Sequence, residues 1–168
     1  ALVMYLRDHA LPLPAGVLVM SPWADLTCSG ESHETNFHRD PQFGGTTDNM
    51  LHNSSYIGDA DPHAPYLSPM FGDFTDFPPT LIQVGSEEVL LSDSLTVARK
   101  LREAHRKLRI SVYDGMFHVF QMALRLIPES REAWEEAGRF LEIVYGVERT
   151  EEGRKVRLVR SNRKRKKR

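Results

Sequence analysis

An α/β architecture, a mostly parallel sheet with flanking helices, is predicted by two observations. Three short apolar runs, Gly16 to Met20 (GVLVM), Thr80 to Val84 (TLIQV) and Leu108 to Tyr113 (LRISVY), are rich in Val, Leu and Ile and bounded by turn residues, as strands buried on both faces are. Between and after them lie segments whose apolar residues recur every three or four positions, as on one face of a helix. Strands that alternate with helices in this way pack as a parallel sheet crossed by helices.

Ala1 to Ala10 (ALVMYLRDHA) has the pattern of the later part of an amphipathic helix and no capping residue in front of it, so its start is expected upstream. Leu11 to Ala15 is a turn punctuated by Pro12 and Pro14, and Ser21-Pro22-Trp23 ends the first strand. Thr27 to Tyr66 is polar, with the length of a lid or binding loop, and a short helix is expected around Asp48 to Ile57. Pro78-Pro79 introduces the second strand and Gly85-Ser86 closes it. The spacing of Leu95, Ala98 and Leu101 predicts a helix over Asp93 to Arg106. Asp114-Gly115 ends the third strand, and a short helix over Val119 to Ile127 precedes a longer one over Glu129 to Tyr145. Pro128 stands where a helix start tolerates proline and Gly146 where a terminating glycine belongs.

The chain has 168 residues, the length of one ordinary domain. Its mean hydropathy is −0.41, and no stretch approaches the roughly 18 apolar residues a membrane span needs. A single cysteine, Cys28, excludes an internal disulfide and fits a reducing, cytoplasmic compartment. The formal net charge of −1 conceals an asymmetry: ten of the 22 basic residues lie between Arg154 and Arg168, where there is no Asp or Glu. The expected organisation is a domain portion over residues 1–146, with a lid-like loop at 27–66, and a basic, disordered tail at 147–168.

Open parallel sheets gather functional residues at the carboxyl ends of their strands. That rule selects Glu87 and Glu88 after the second strand and His118 after the third. Neighbouring strands lie about 4.8 Å apart, which lets the two turns touch and a carboxylate meet an imidazole. Such a pair is the acid and base of a nucleophilic triad, in which the carboxylate fixes the tautomer of the histidine that deprotonates a serine.

Four stretches carry a resemblance beyond spacing: VLVMSPWADLT ending at Thr27, Leu67-Ser68-Pro69, PPTLIQVGSEEVLLSDS from Pro78 to Ser94, and YDGMFHVFQ from Tyr113 to Gln121. In this order they resemble the carboxy-terminal half of hormone-sensitive-lipase-like esterases of the α/β-hydrolase superfamily. The resemblance implies a partial α/β-hydrolase fold, carboxylic-ester hydrolysis without a metal or organic cofactor, Glu88 as catalytic acid with Glu87 as fallback, and His118 as catalytic base. It also implies that the segment from Glu34 to Tyr66 contributes to a cap, with Phe37, Phe43 and Met50 either lining the acyl pocket or packing as an ordinary satellite cluster. The nucleophile does not carry over. No serine fits the G-x-S-x-G elbow, the nearest being Gly30-Glu31-Ser32-His33-Glu34, and Gly44-Gly45 only partly resembles an HGGG-type oxyanion loop. By family order both elements precede Ala1. A small ester is then the substrate only once an amino-terminal part completes the site, and the chain alone is expected to be inactive.

Other readings are weaker. His33 and His38, with Glu31, Glu34 and Asp40 nearby, lack zinc spacing and read as a solvated loop. Asp25 and Trp23 read as holding the turn at the floor of the site, and Met116 and Phe117 as packing residues. The tail has no aromatic residue to stack on bases, so no specific nucleic-acid partner is expected. A sheet edge left open invites self-association. A non-catalytic interaction module and one chain of a split hydrolase are the alternative functions.

Overall fold

A computed structural model describes residues 1–48, 55–149 and 156–158. The elements follow in the order α1 (Leu2–Asp8), β1 (Val17–Met20), α2 (Ser32–Thr35), a 3₁₀ turn at Pro69–Phe71, β2 (Thr80–Gly85), α3 (Leu91–Glu103), β3 (Leu108–Tyr113), a second 3₁₀ turn at Phe120–Ala123, α4 (Pro128–Tyr145), β4 (Val147–Arg149) and β5 (Val156–Leu158).

β1, β2 and β3 form a parallel sheet in that order, with Val17 opposite Thr80 and Thr80 opposite Leu108. The three apolar runs are the three strands of this sheet. β2 lies between the other two and is buried along its whole length, which explains its lack of polar alternation. On one face Ile82 joins Met4 of α1, Val97, Ala98 and Leu101 of α3, and Phe74 and Phe77 from the preceding loop. Each such aliphatic side chain contributes about 1.5 to 3 kcal/mol on burial. Gln83 is buried among α4 residues instead: its Nε2 donates to the Ala133 carbonyl and to Glu136 Oε2, each at 2.8 Å. Glu136, although 4% exposed, is also met by Ser111 Oγ at 2.6 Å and by Arg109 Nε. Burial works to raise the carboxyl pKa, and the bonds from Ser111, Gln83 and Arg109 outweigh it and hold it low.

The main departures from the sequence reading are local. The helix expected over Val119 to Ile127 is a single 3₁₀ turn flanked by left-handed residues, Val119 at φ 51° and Leu124 at φ 52°, a backbone that breaks a regular helix. α3 begins at Leu91, before Asp93. Of the helix expected around Asp48 to Ile57, residues 49–54 lie outside the described residues, and Ser32–Thr35 is helical instead. The tail expected to be disordered from 147 onward contains an antiparallel ribbon in which Val147 faces Leu158 and Arg149 faces Val156. The rest of that tail lies outside the described residues.

Candidate active site

The turn after β2 and the turn after β3 meet at Gly85. A side chain there would place its Cβ 2.1 Å from the Met116 carbonyl oxygen, so only glycine lets the two turns approach this closely. The Glu87 amide donates to the same Met116 carbonyl at 3.1 Å, and the Gly115 amide to Ser86 Oγ at 2.8 Å. Gly115 takes φ 68° to begin the second turn.

The two predicted residues are brought together by this contact. Glu88 Oε2 lies 3.1 Å from His118 Nδ1. Glu88 is fully buried, and its other oxygen accepts from the Gly85 amide at 2.6 Å and from Ser21 Oγ at 2.7 Å. Ser21 ends β1 in a left-handed conformation, φ 48°, and its hydroxyl also accepts from the Val119 amide at 3.0 Å. Three donors, from the ends of all three strands, therefore set the orientation of the carboxylate. The imidazole keeps 19% side-chain exposure and is met edge-on by Phe43, with ring centroids 4.8 Å apart. Chemically, the arrangement holds a proton on Nδ1 and leaves Nε2 free to accept one.

Glu87, the fallback acid, is turned away. Both its oxygens pair with Arg39, at 2.5 Å from Nε and 2.5 Å from Nη2. Met116 is only half-buried, and its structural weight lies in its carbonyl rather than its side chain. Phe43 is the one predicted lining residue that touches the histidine. Phe37 packs on His38 instead, and Met50 lies outside the described residues.

Sequence reasoning missed a strap over the turn after β2. Ser32, Asn36 and Asp40 are buried polar residues spaced four apart. Ser32 Oγ bonds the Val89 carbonyl, Asn36 Nδ2 donates to the carbonyls of Ser86 and Glu88 at 2.9 and 2.8 Å, and Asp40 Oδ2 accepts from the Val89 amide at 2.9 Å. That i, i+4, i+8 spacing was the available signal. Below it, Asp93 Oδ2 accepts from the amides of Ala24 and Asp25 at 2.8 and 2.9 Å. Asp25, also fully buried, accepts from the amides and hydroxyls of Thr27 and Ser29. Burial works to raise the Asp25 pKa, and those hydrogen bonds prevail and lower it. The reading of Asp25 as a turn-holder matches this position.

His33 is not in a solvated loop but buried, with Nε2 3.5 Å from Asp93 Oδ1. Burial disfavours the imidazolium, yet Asp93 and Cys28 together raise the pKa to about 9. A folded-state pKa above the ordinary 6.5 adds stability that is complete below pH 6.5 and lost as pH rises through about 9. The chain is therefore expected to unfold at lower urea at pH 10 than at pH 6. His33→Gln should remove this part of the difference, no more than about 3 kcal/mol, as read from urea melts at both pH values.

Two clefts, of about 260 and 630 Å³, run along β3 and α4, and neither Glu88 nor His118 lines them.

Comparison with known proteins gives a consistent picture. The profile of the α/β-hydrolase fold matches residues 1–122. This chain belongs to the α/β-hydrolase fold family. It is 40% identical over 146 residues to an acetyl-hydrolase of Streptomyces hygroscopicus, covering 87% of this chain and 48% of that protein. An esterase of Acinetobacter venetianus is 34% identical over 140 residues, covering 83% of this chain and 46% of that protein. Among solved structures, an esterase from the bacterial hormone-sensitive lipase family superposes with a TM-score of 0.78 at 34% identity, over 84% of this chain and 47% of that one. The chain thus spans about half the length of the curated relatives it matches, and within the α/β-hydrolase family it resembles the hormone-sensitive-lipase-like esterases.

Proposed function

We propose that this chain supplies the acid and the base of a serine-dependent carboxylic-ester hydrolase. The observation that carries the reading is the 3.1 Å contact between Glu88 Oε2 and His118 Nδ1, made by a buried carboxylate that two further donors hold in place and a partly open imidazole. In the proposed reaction His118 takes the proton of a serine hydroxyl as that oxygen attacks the ester carbonyl. Glu88 stabilises the resulting imidazolium, which then returns the proton to the leaving alcohol. A water activated by His118 in the same way releases the acyl group.

The serine and the oxyanion donors belong, in this reading, to a segment that precedes residue 1 or to a separate chain. The coverage of about half of the relatives supports this. So does the sheet: among the described residues β1 pairs only with β2, and Leu2, Tyr5, Leu11 and Leu13 on the segment leading to it are exposed. Until that surface is covered, self-association of the isolated chain is part of the proposal. A small ester as substrate and the cytoplasm as compartment, suggested by the lone cysteine, complete it. No helix among the described residues is long and apolar enough to cross a membrane.

The test is complementation. The 168-residue chain alone is expected to show no p-nitrophenyl acetate hydrolysis above buffer. Joined behind the amino-terminal part of the Streptomyces acetyl-hydrolase, it is expected to hydrolyse the ester. Hydrolysis by the chain alone that disappears in His118→Ala, or a folded but inactive chimaera, would refute the proposal.

A further inference from the structure

One side chain joins the strap over the turn after β2 to both members of the proposed pair. Asp40 is 4% exposed, and among the described residues its partners are three backbone amides that reach it from two directions. Its Oδ2 accepts at 2.9 Å from the amide of Val89, the residue after Glu88. Its Oδ1 accepts from the Gln42 amide at 2.8 Å and the Phe43 amide at 3.1 Å, and Phe43 is the residue whose ring meets His118. One carboxylate thus ties the backbone beside the proposed acid to the backbone that carries a ring against the proposed base. The segment has little slack: a Cβ at Gly44 would lie 2.2 Å from the Phe37 carbonyl oxygen and 2.6 Å from that of Asp40, so the strap closes tightly on itself. Phe43 also packs on Val89 and Leu90, which places the ring and the turn in one apolar cluster.

We infer that Asp40 is a positioning residue for the Glu88–His118 pair, one that holds the proposed acid and base in register without hydrogen-bonding to either. The inference rests on the proposed ester hydrolysis for its kinetic consequence and on the geometry alone for its structural one. The donors explain why a carboxylate stands here. Only a side chain that accepts on both of its oxygens faces amide N–H groups on both sides, and burial makes an unmade bond costly. Asparagine has the same shape but sets an N–H donor against an amide N–H, so it keeps either the Val89 side or the Phe43 side and releases the other. Without the bond to Val89 the turn holds Glu88 less firmly, and without the bond to Phe43 the ring no longer bears on His118. Either way the imidazole gains freedom to turn from the carboxylate, and a misplacement of about 1 Å in a reacting group costs about 100-fold in rate.

The test reads the histidine directly, in the 168-residue chain carrying isotope-labelled histidine. At about pH 8, where an ordinary imidazole is neutral, nitrogen NMR is expected to show a proton on Nδ1 of His118, assigned by the signal that His118→Gln removes. Asp40→Asn should speed exchange of that proton with solvent by roughly tenfold or more while the urea melt stays cooperative. In the chimaera the same variant should lower kcat by about tenfold to 100-fold with KM within about threefold, because positioning acts on the chemical step and not on binding. Phe43→Ala removes the ring and leaves the three amides on Asp40, so it should also speed the exchange, and it decides the matter if Asp40→Asn does not fold. An unchanged exchange rate in either variant, once folded, overturns the inference. A wild-type His118 with no proton on Nδ1 refutes the acid and base reading itself, and the inference with it.

Discussion

In the chimaera that carries a serine elbow, His118→Ala is expected to lower kcat by about 10⁶-fold, because the serine then has no base and only binding and oxyanion contributions remain. Glu88→Gln is expected to cost about 10⁴-fold. The amide keeps the shape of the side chain, but it can present N–H to Nδ1 and so favour the wrong tautomer, and it cannot stabilise the imidazolium. The double variant should be no worse than His118→Ala alone, since the carboxylate acts through the ring. Steady-state rates on p-nitrophenyl acetate measure all three. Retention of more than about a tenth of the activity in His118→Ala would remove this histidine from the chemistry. Because Glu87 is committed to Arg39, Glu87→Gln should leave kcat within about twofold, whereas a loss like that of Glu88→Gln would reassign the acid.

Gly85→Ala is expected to be the most disruptive single methyl in the described chain. The added carbon would meet backbone, the Met116 carbonyl at 2.1 Å and its carbon at 2.5 Å, and backbone cannot rotate aside as a flexible side chain can. The two turns must separate, and that stretches the Glu87–Met116 bond and the Glu88–His118 contact together. A loss of about 3 kcal/mol in urea unfolding is expected, with a matching loss of activity in the chimaera. An unchanged midpoint would mean that the turns are more plastic than their spacing implies.

How much of this was legible in the sequence depended on range. The strands were visible because TLIQV, LRISVY and GVLVM carry their own signal, and α4 because Pro128 and Gly146 mark both its ends. The pairing of Glu88 with His118 followed from strand order and from the likeness of GSEEVLLSDS and YDGMFHVFQ to one family; spacing alone could not separate Glu88 from Glu87. What separates them is Arg39, 48 residues away, which takes one and leaves the other. The strap and the Asp93 anchor were illegible for the same reason: Asp93 serves amides 68 and 69 positions distant, and no local pattern encodes such a partner. His33 was misplaced because polar neighbours suggested solvent, whereas the adjacent Ser32 is bonded to Val89 and Ser92 and both residues are buried. The helix expected after His118 failed at Val119, whose left-handed backbone keeps its amide on Ser21.

That amide closes a circuit. Val119 donates to Ser21, Ser21 donates to Glu88, Glu88 accepts from His118, and His118 is joined to Val119 by a peptide bond. The Val119 amide polarises the Ser21 hydroxyl that donates to Glu88, so that chain of bonds is stronger than its links taken singly, and three donors hold the carboxylate where the two sides of the circuit meet. The proposed acid and base are therefore tied into one part. On the proposed function, the segment that supplies the serine has only to be placed against a finished surface, and assembling the hydrolase becomes a matter of docking rather than of refolding the site.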